Sequence, residues 1–160
     1  KWAQKIAELC QPHFNVITQE YSHWQTGEEF INFEKEKRIL EKKVKCLKGY
    51  IILAKSVGVL LVLELIHKKN AFPEKCIFVG SAINRAHWNN YDIDIWLKNY
   101  SVPTLFVQNN LDPAIYFDDL ESLLNKIGIL NKKMVRLSGD NHNYNETEIA
   151  SLTVSFANEL

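Results

Sequence analysis

One serine, one aspartate and one histidine in this chain each follow a run of residues that favours a β-strand. Ser56 comes just after the apolar run 51–54, and Asp112 and His142 come after two later runs. A serine hydroxyl becomes a nucleophile when a histidine accepts its proton and a carboxylate holds that histidine in the correct tautomer. These three side-chain types, in this chain order, are those that acyl transfer needs.

The residues around Ser56 follow a known turn pattern. The sequence Ala54-Lys55-Ser56-Val57-Gly58 matches the strand–turn–helix motif G-x-S-x-G at every position except the first, where alanine replaces glycine. Small residues are needed at both ends because the sharp turn brings them close to neighbouring backbone, and alanine is the mildest departure. Two ordinary interpretations remain open: Ser56 as a helix N-cap, and Lys55 as a solvent-facing or ion-paired residue.

Asp112 and His142 lie in loops that should meet Ser56. Asp112 belongs to the segment 109–113 and His142 to the segment 138–143, each directly after a predicted strand. Parallel strands bring such loops to one edge of the sheet. Asp112 precedes a proline and could simply form a turn, and His142 could be a surface histidine. Their joint occurrence in the required order favours a catalytic site.

Strand-like and helix-like segments alternate along the chain. Strands are predicted at Phe14–Thr18, Gly49–Ala54, Lys75–Gly80, Thr104–Gln108 and Lys133–Leu137, and helices near 1–9, 27–45, 57–69, 92–99, 116–127 and 145–158. This alternation predicts crossover connections and a mainly parallel sheet. Several strand runs are apolar at every position, as expected of strands covered on both faces. The predicted fold class is a three-layer α/β/α domain with about five to six strands.

Composition restricts the classes of partner. The chain has 160 residues, 46% of them hydrophobic and 24% charged, with nineteen basic and nineteen acidic side chains. This is typical of one globular domain, 1–160, with a full core. Zero net charge argues against nucleic-acid and anionic membrane partners, and no apolar stretch is long enough to span a bilayer.

Cys10, Cys46 and Cys76 show no metal-ligand spacing, so we expect buried inert thiols, a reducing cytoplasmic compartment, no metal and no cofactor.

The stretches 51–58, 102–113 and 137–142 resemble the α/β-hydrolase superfamily, and most of all its small, lidless, single-domain serine hydrolases. The resemblance extends from about Gly49 to the C-terminus and is only architectural before that point. It implies that Ser56 is the nucleophile, His142 the general base and Asp112 the acid that orients it. It also implies that the Val57 N–H belongs to the oxyanion hole, aided by the positive end of the helix that it begins.

The resemblance implies a further strand and a glycine-containing loop before the first helix, which would supply a second oxyanion donor. Neither is visible in the sequence, and the helical pattern at 1–9 has no N-cap residue before it. We therefore expect that an upstream strand is missing from this chain. Its expected place in the sheet is between the predicted strands at Phe14–Thr18 and Gly49–Ala54.

The function expected from this resemblance is hydrolysis of small carboxylic esters or thioesters through an acyl-enzyme. Trp88 and Tyr91, after the third predicted strand, could line a substrate subsite or pack against the body of the domain. One alternative is a non-catalytic relative, in which a vestigial triad remains on a binding or interaction domain. A flavodoxin-like nucleotide-binding domain is disfavoured because the segment 19–24, after the first predicted strand, is acidic and bulky.

Overall fold

The computed structural model describes residues 1–159, which form a parallel sheet between two layers of helices. The helices are α1 (Trp2–Cys10), α2 (His23–Thr26), α3 (Phe33–Val44), α4 (Val57–His67), α5 (Ile83–Trp88), α6 (Ile93–Leu97), α7 (Phe117–Ile127) and α8 (Glu146–Ala157). The strands are β1 (Ile51–Lys55), β2 (Lys75–Val79), β3 (Thr104–Asn109) and β4 (Lys132–Leu137). Their order is β1-β2-β3-β4 with every neighbouring pair parallel. The α/β class is confirmed, with four strands instead of the five to six expected.

Successive residues of the central strands enter two separate cores. In β2, Phe78 packs with the side chains of α4, α6 and α7, whereas Ile77 and Val79 pack with those of α1 and α8. Side chains alternate between the two faces of a strand, so a strand that is apolar throughout must be covered on both sides. This arrangement gives the three layers that the sequence predicted.

Helix α4 is buried nearly all round, which fits its continuous apolar sequence. Every residue from Gly58 to Leu65 is buried, including Glu64. The Glu64 carboxylate is paired with the buried amine of Lys37 from α3 at 2.8 Å, which compensates for its removal from water. The helix directly after Ser56 is therefore anchored firmly in the domain.

The strand predicted at Phe14–Thr18 is wrong. Phe14 and Val16 are partly buried against the core beneath α1 and α8, but the segment is extended without joining the sheet. A strand needs a neighbouring backbone, and the described residues offer this segment none. The Thr18 carbonyl instead accepts a hydrogen bond from the Lys43 amine at 2.7 Å.

Further differences concern the start of α3, two short helices and Cys46. The long helix expected from Gly27 begins at Phe33, because Gly27 ends α2 in a left-handed conformation and Asn32 caps α3 by accepting the Lys35 N–H at 3.0 Å. The short helices α2 and α5 were not predicted. Cys46 is exposed, because it lies in the solvated turn after α3, whereas Cys10 and Cys76 are buried as expected.

The register of the sheet aligns the carboxyl ends of the strands. Lys55 of β1 lies opposite Val79 of β2, and Asn109 of β3 lies opposite Leu137 of β4. The loops that follow β1, β2, β3 and β4 therefore emerge at one edge.

Among the described residues, no helix has the length and the apolar character that crossing a bilayer requires.

Candidate active site

Ser56 lies at the junction of β1 and α4 with an unusual backbone. Its φ is 57° and its ψ is −125°, a backbone conformation that residues other than glycine rarely adopt. Such strained residues persist where the surrounding structure fixes them, and they are common at active sites. The Ser56 side chain makes no capping hydrogen bond to α4, so its hydroxyl does not serve the helix.

The structure explains why alanine fits the first position of the motif. A β-carbon added to Gly58 would lie 3.7 Å from the Ala54 β-carbon, which is ordinary contact, and only 2.8 Å from the Tyr21 hydroxyl. The two ends of the turn are thus close together, as the motif requires. Alanine at the first position is compatible with this turn, because even a β-carbon at position 58 would make only ordinary contact with that of Ala54, and the close neighbour of Gly58 is the Tyr21 hydroxyl.

His142 and Asp112 form a hydrogen-bonded pair. The His142 Nδ1 lies 2.8 Å from Asp112 Oδ2 and 3.0 Å from Oδ1. Asp112 is completely buried, whereas about one-third of the His142 side chain, 32%, is exposed. The buried carboxylate can therefore hold the imidazole in one tautomer while part of the His142 side chain stays accessible.

Several hydrogen bonds keep Asp112 ionised despite its burial. Burial disfavours the charge, but the bonds from His142, from the Tyr144 hydroxyl and from the Ala114 N–H outweigh it and lower the pKa of the Asp112 carboxyl. An ionised Asp112 is an acceptor only, so it favours the proton on the Nδ1 of His142. The Nε2 of that ring is then free to accept a proton.

The end of β2 brings Ser56 and His142 to the same place. The Ser56 N–H donates to the Val79 carbonyl at 3.0 Å. At the next residue, Gly80, an added β-carbon would lie 2.8 Å from the His142 Cε1 and 2.7 Å from the Tyr144 Cε2. Within the described residues no hydrogen bond joins Ser56 to His142. Catalytic hydrogen bonds are often longer in unliganded enzymes than in their complexes.

Two amides near the end of β3 fix the loops of the site. The Asn109 side-chain amide donates to the carbonyls of Asn141 and Asn143 at 2.8 and 2.9 Å, the two residues that flank His142. The Gln108 side chain accepts from the Ser81 N–H and donates to the Ile115 carbonyl, each at 2.9 Å. The loops after β2, β3 and β4 are therefore tied to one strand.

The N-terminus of α4 lies directly after Ser56. Within the described residues, no group accepts a hydrogen bond from the Val57 N–H, as is usual at a helix N-terminus. The positive end of the helix dipole lies at the same position. Val57, which the sequence predicted for an oxyanion hole, therefore has a backbone N–H directly after Ser56 with no acceptor in the described part of the chain.

Lys55 is partly buried, and it forms no ion pair with any residue that the structure describes. Its amine lies over the rings of Trp2, at 5.0 Å, and Tyr144, at 5.6 Å. Burial lowers the pKa of the Lys55 amine, and the charges of Asp112 and Glu146 oppose this shift. Lys55 borders a cleft of about 630 Å³ whose wall includes Asn109 and Tyr144 but neither Ser56 nor His142.

The two candidate substrate-binding residues differ in their surroundings. Trp88, at the end of α5, is 78% exposed. Tyr91 stacks on Trp96 with ring centres 5.8 Å apart and packs against Phe33 at 4.8 Å. Tyr91 thus contributes to the main core, and Trp88 has the larger free surface.

Sequence reasoning missed Tyr144, Asn109 and Gln108. Their positions follow from side-chain contacts between loops about thirty residues apart in the chain, as in the bond from Tyr144 to Asp112. The available signal was polarity: Gln108 and Asn109 are amides at the end of an otherwise apolar strand, and a buried strand amide needs a partner.

Comparison with protein families and with curated protein sequences gives no match. Among solved structures, a Bacillus cereus protein matches with a TM-score of 0.74 and 14% identity, over 98% of this chain and 55% of its own. A serine hydrolase involved in carbazole degradation, the CarC enzyme, matches with a TM-score of 0.70 and 12% identity, over 96% and 83%. The esterase domain of a Rhodothermus marinus protein matches at 0.56 and 15%, over 79% and 66%.

This chain spans 55% of the first structure's length. At identities of 12–15% the likeness concerns the fold, which agrees with the parallel sheet and the strand–turn–helix junction described above. The chain has an α/β-hydrolase-like fold.

Proposed function

We propose that this protein is a serine hydrolase that cleaves carboxylic esters or thioesters of small molecules. The observation that carries the proposal is Ser56, a serine with a φ of 57° between a strand and a buried helix, whose hydroxyl does not cap that helix. A hydrogen-bonded Asp112–His142 pair beside the same end of β2 supports it. Trp88 is the candidate apolar contact for the acyl group.

The proposed reaction has two stages. His142 Nε2 accepts the Ser56 proton as the hydroxyl oxygen attacks the carbonyl carbon, and the tetrahedral oxyanion accepts the Val57 N–H. The intermediate collapses, the carbon–oxygen or carbon–sulfur bond breaks, and His142 returns the proton to the leaving alcohol or thiol. Water then attacks the acyl-enzyme with His142 as base, which releases the acid and regenerates Ser56.

Asp112 supports both stages without itself being protonated. Its ionised carboxylate holds the Nδ1 proton of His142 and stabilises the imidazolium that forms in each proton transfer. The hydrogen bonds that lower the pKa of Asp112 maintain this charge in a buried place.

The experiment measures hydrolysis of p-nitrophenyl acetate and of S-phenyl thioacetate by the wild type and by Ser56→Ala and His142→Ala. Ser81→Ala is the matched control, because Ser81 is a buried serine at the same edge of the sheet. We expect turnover by the wild type and by Ser81→Ala, and a loss of at least 10³-fold in the other two. Equal turnover in Ser56→Ala would refute the proposal.

The second candidate is a non-catalytic binding domain that keeps the residues of the triad. Two observations favour it: within the described residues Ser56 and His142 share no hydrogen bond, and Ala54 replaces the first glycine of the motif. A folded protein that hydrolyses neither the ester nor the thioester, and that gains no activity when the pH is raised, would favour this candidate over the enzyme.

A further inference from the structure

The Tyr144 hydroxyl forms a junction beneath the Asp112–His142 pair. Tyr144 is buried, with 5% of its surface exposed, and its hydroxyl donates to Asp112 Oδ2. This is the same oxygen that lies 2.8 Å from the His142 Nδ1. The hydroxyl in turn accepts the backbone N–H of Asn109 at 3.1 Å. The hydroxyl therefore donates to the Asp112 carboxylate and accepts from the backbone of β3, so both of its hydrogen-bonding capacities are used.

The direction of the hydrogen bond is settled by charge. Burial raises the pKa of the Tyr144 hydroxyl, the Asn109 N–H opposes this and the Asp112 charge adds to it, so the phenol stays neutral. A neutral phenol beside an ionised carboxylate must donate. Because the Ala114 N–H donates to the other oxygen, Oδ1, at 2.8 Å, the carboxylate is held from two directions besides that of His142.

Tyr144 is itself fixed by three parts of the fold. Its carbonyl accepts the Trp2 indole N–H from α1 at 2.8 Å. Its ring meets the His142 ring edge-on with centres 6.0 Å apart, and Gly80 leaves the space that the two rings occupy. A residue that orients a reacting side chain must itself be held in one position, and these contacts hold Tyr144 in one position.

We propose that Tyr144 is a positioning residue that fixes the orientation of Asp112, and through it the orientation and basicity of His142. This inference rests on the proposed hydrolase function, because it assigns Tyr144 a part in that site. The hydroxyl competes with the imidazole for Oδ2. Its loss would therefore loosen the carboxylate and, at the same time, strengthen the attraction of Asp112 for the protonated ring.

The test compares Tyr144→Phe with Tyr100→Phe. Tyr100 is also buried and hydrogen-bonded, with its hydroxyl 2.6 Å from the Thr104 hydroxyl, but Thr104 begins β3 at the opposite edge of the sheet. Both variants lose one buried phenol hydroxyl. Both keep Lys55, which lies over the Tyr144 ring, and the nearby Glu146, so the other charges of the site are unchanged.

Three quantities are measured on protein shown to be folded by circular dichroism. They are the rate of reaction with a fluorophosphonate, the acidic midpoint of that rate's pH profile, and the proton resonance of the His142 Nδ1–H. For Tyr144→Phe we expect a ten- to hundred-fold slower reaction, a midpoint higher by roughly 0.5 pH unit, and a downfield shift of the resonance. Tyr100→Phe should change none of the three.

The contrary results are distinct. A Tyr144→Phe variant with an unchanged rate, or with a slower rate but an unchanged midpoint and resonance, would reduce Tyr144 to a packing role and overturn the inference. A wild type that does not react would refute the proposed function, and the resonance would still decide whether Tyr144 governs the pair. If Tyr144→Phe does not fold, wild type carrying 3-fluorotyrosine should show a lower midpoint, because its more acidic hydroxyl binds Oδ2 more strongly.

Discussion

Replacing Gly80 by alanine is expected to displace His142 and to slow acylation of Ser56. The added β-carbon would lie 2.8 Å from the His142 Cε1 and 2.7 Å from the Tyr144 Cε2. Both rings must move by roughly 0.6 Å to regain ordinary contact, in an interior that is closely packed. The φ of Gly80 is +56°, so alanine also costs about 1–2 kcal/mol of backbone strain.

A misplacement of about 1 Å at a catalytic group can cost about 100-fold in rate, so we expect a loss of about ten- to a hundred-fold. The assay is the second-order rate of reaction with a fluorophosphonate, measured per folded protein. Gly128→Ala is the matched control, because Gly128 has a φ of +87° and nothing within 4 Å of the added carbon. It pays the backbone strain without touching the site.

We expect Gly128→Ala to lower the free energy of unfolding by about 1–2 kcal/mol and to leave the rate unchanged. A folded Gly80→Ala variant that reacts within two-fold of the wild type would show that the position of the His142 ring does not control the reaction.

Three other predictions concern the buried polar groups of the site. Asp112→Asn should slow the fluorophosphonate reaction by about 10⁴-fold, because the amide favours the wrong tautomer of His142, and an unaffected rate would exclude Asp112 from the mechanism. Because the pKa of Asp112 is lowered in the folded protein, its ionised carboxylate stabilises the fold at pH values above the unfolded pKa of about 3.9. That stabilisation is lost as the pH falls through the lowered pKa. In urea titrations below about pH 4, the wild type should therefore lose stability more steeply than Asp112→Asn, and parallel curves would contradict this. Ser81→Ala should leave the free energy of unfolding unchanged or raise it by up to about 1 kcal/mol, because the buried Ser81 hydroxyl has no partner among the described residues; a loss of 2 kcal/mol or more in urea unfolding would contradict it.

The sequence allowed the layers and the candidate triad to be predicted because both depend on local pattern. The apolar runs of β1, β2 and β3 identified the covered strands, and the small residues around Ser56 identified the turn. Strand and helix then place the loops of Asp112 and His142 at one edge without any knowledge of their contacts.

What the sequence did not reveal depends on the third dimension. The segment 14–18 has the composition of a strand, but a strand also needs a neighbouring backbone, and composition does not report one. Tyr144 is one of six tyrosines, and only the folded loops show that its hydroxyl meets Asp112. Likewise, the apolar surroundings of the three cysteines suggested buried thiols, yet Cys46 lies in the exposed turn after α3.

Covalent labelling shows whether Ser56 is an activated nucleophile. The protein is treated with a fluorophosphonate, its intact mass is measured, and the modified peptide is sequenced by mass spectrometry. We predict one adduct, located on Ser56, that is absent from Ser56→Ala and formed at the normal rate in Ser81→Ala. A folded wild type that forms no adduct, or one that carries it on another residue, would show that Ser56 is not an activated nucleophile.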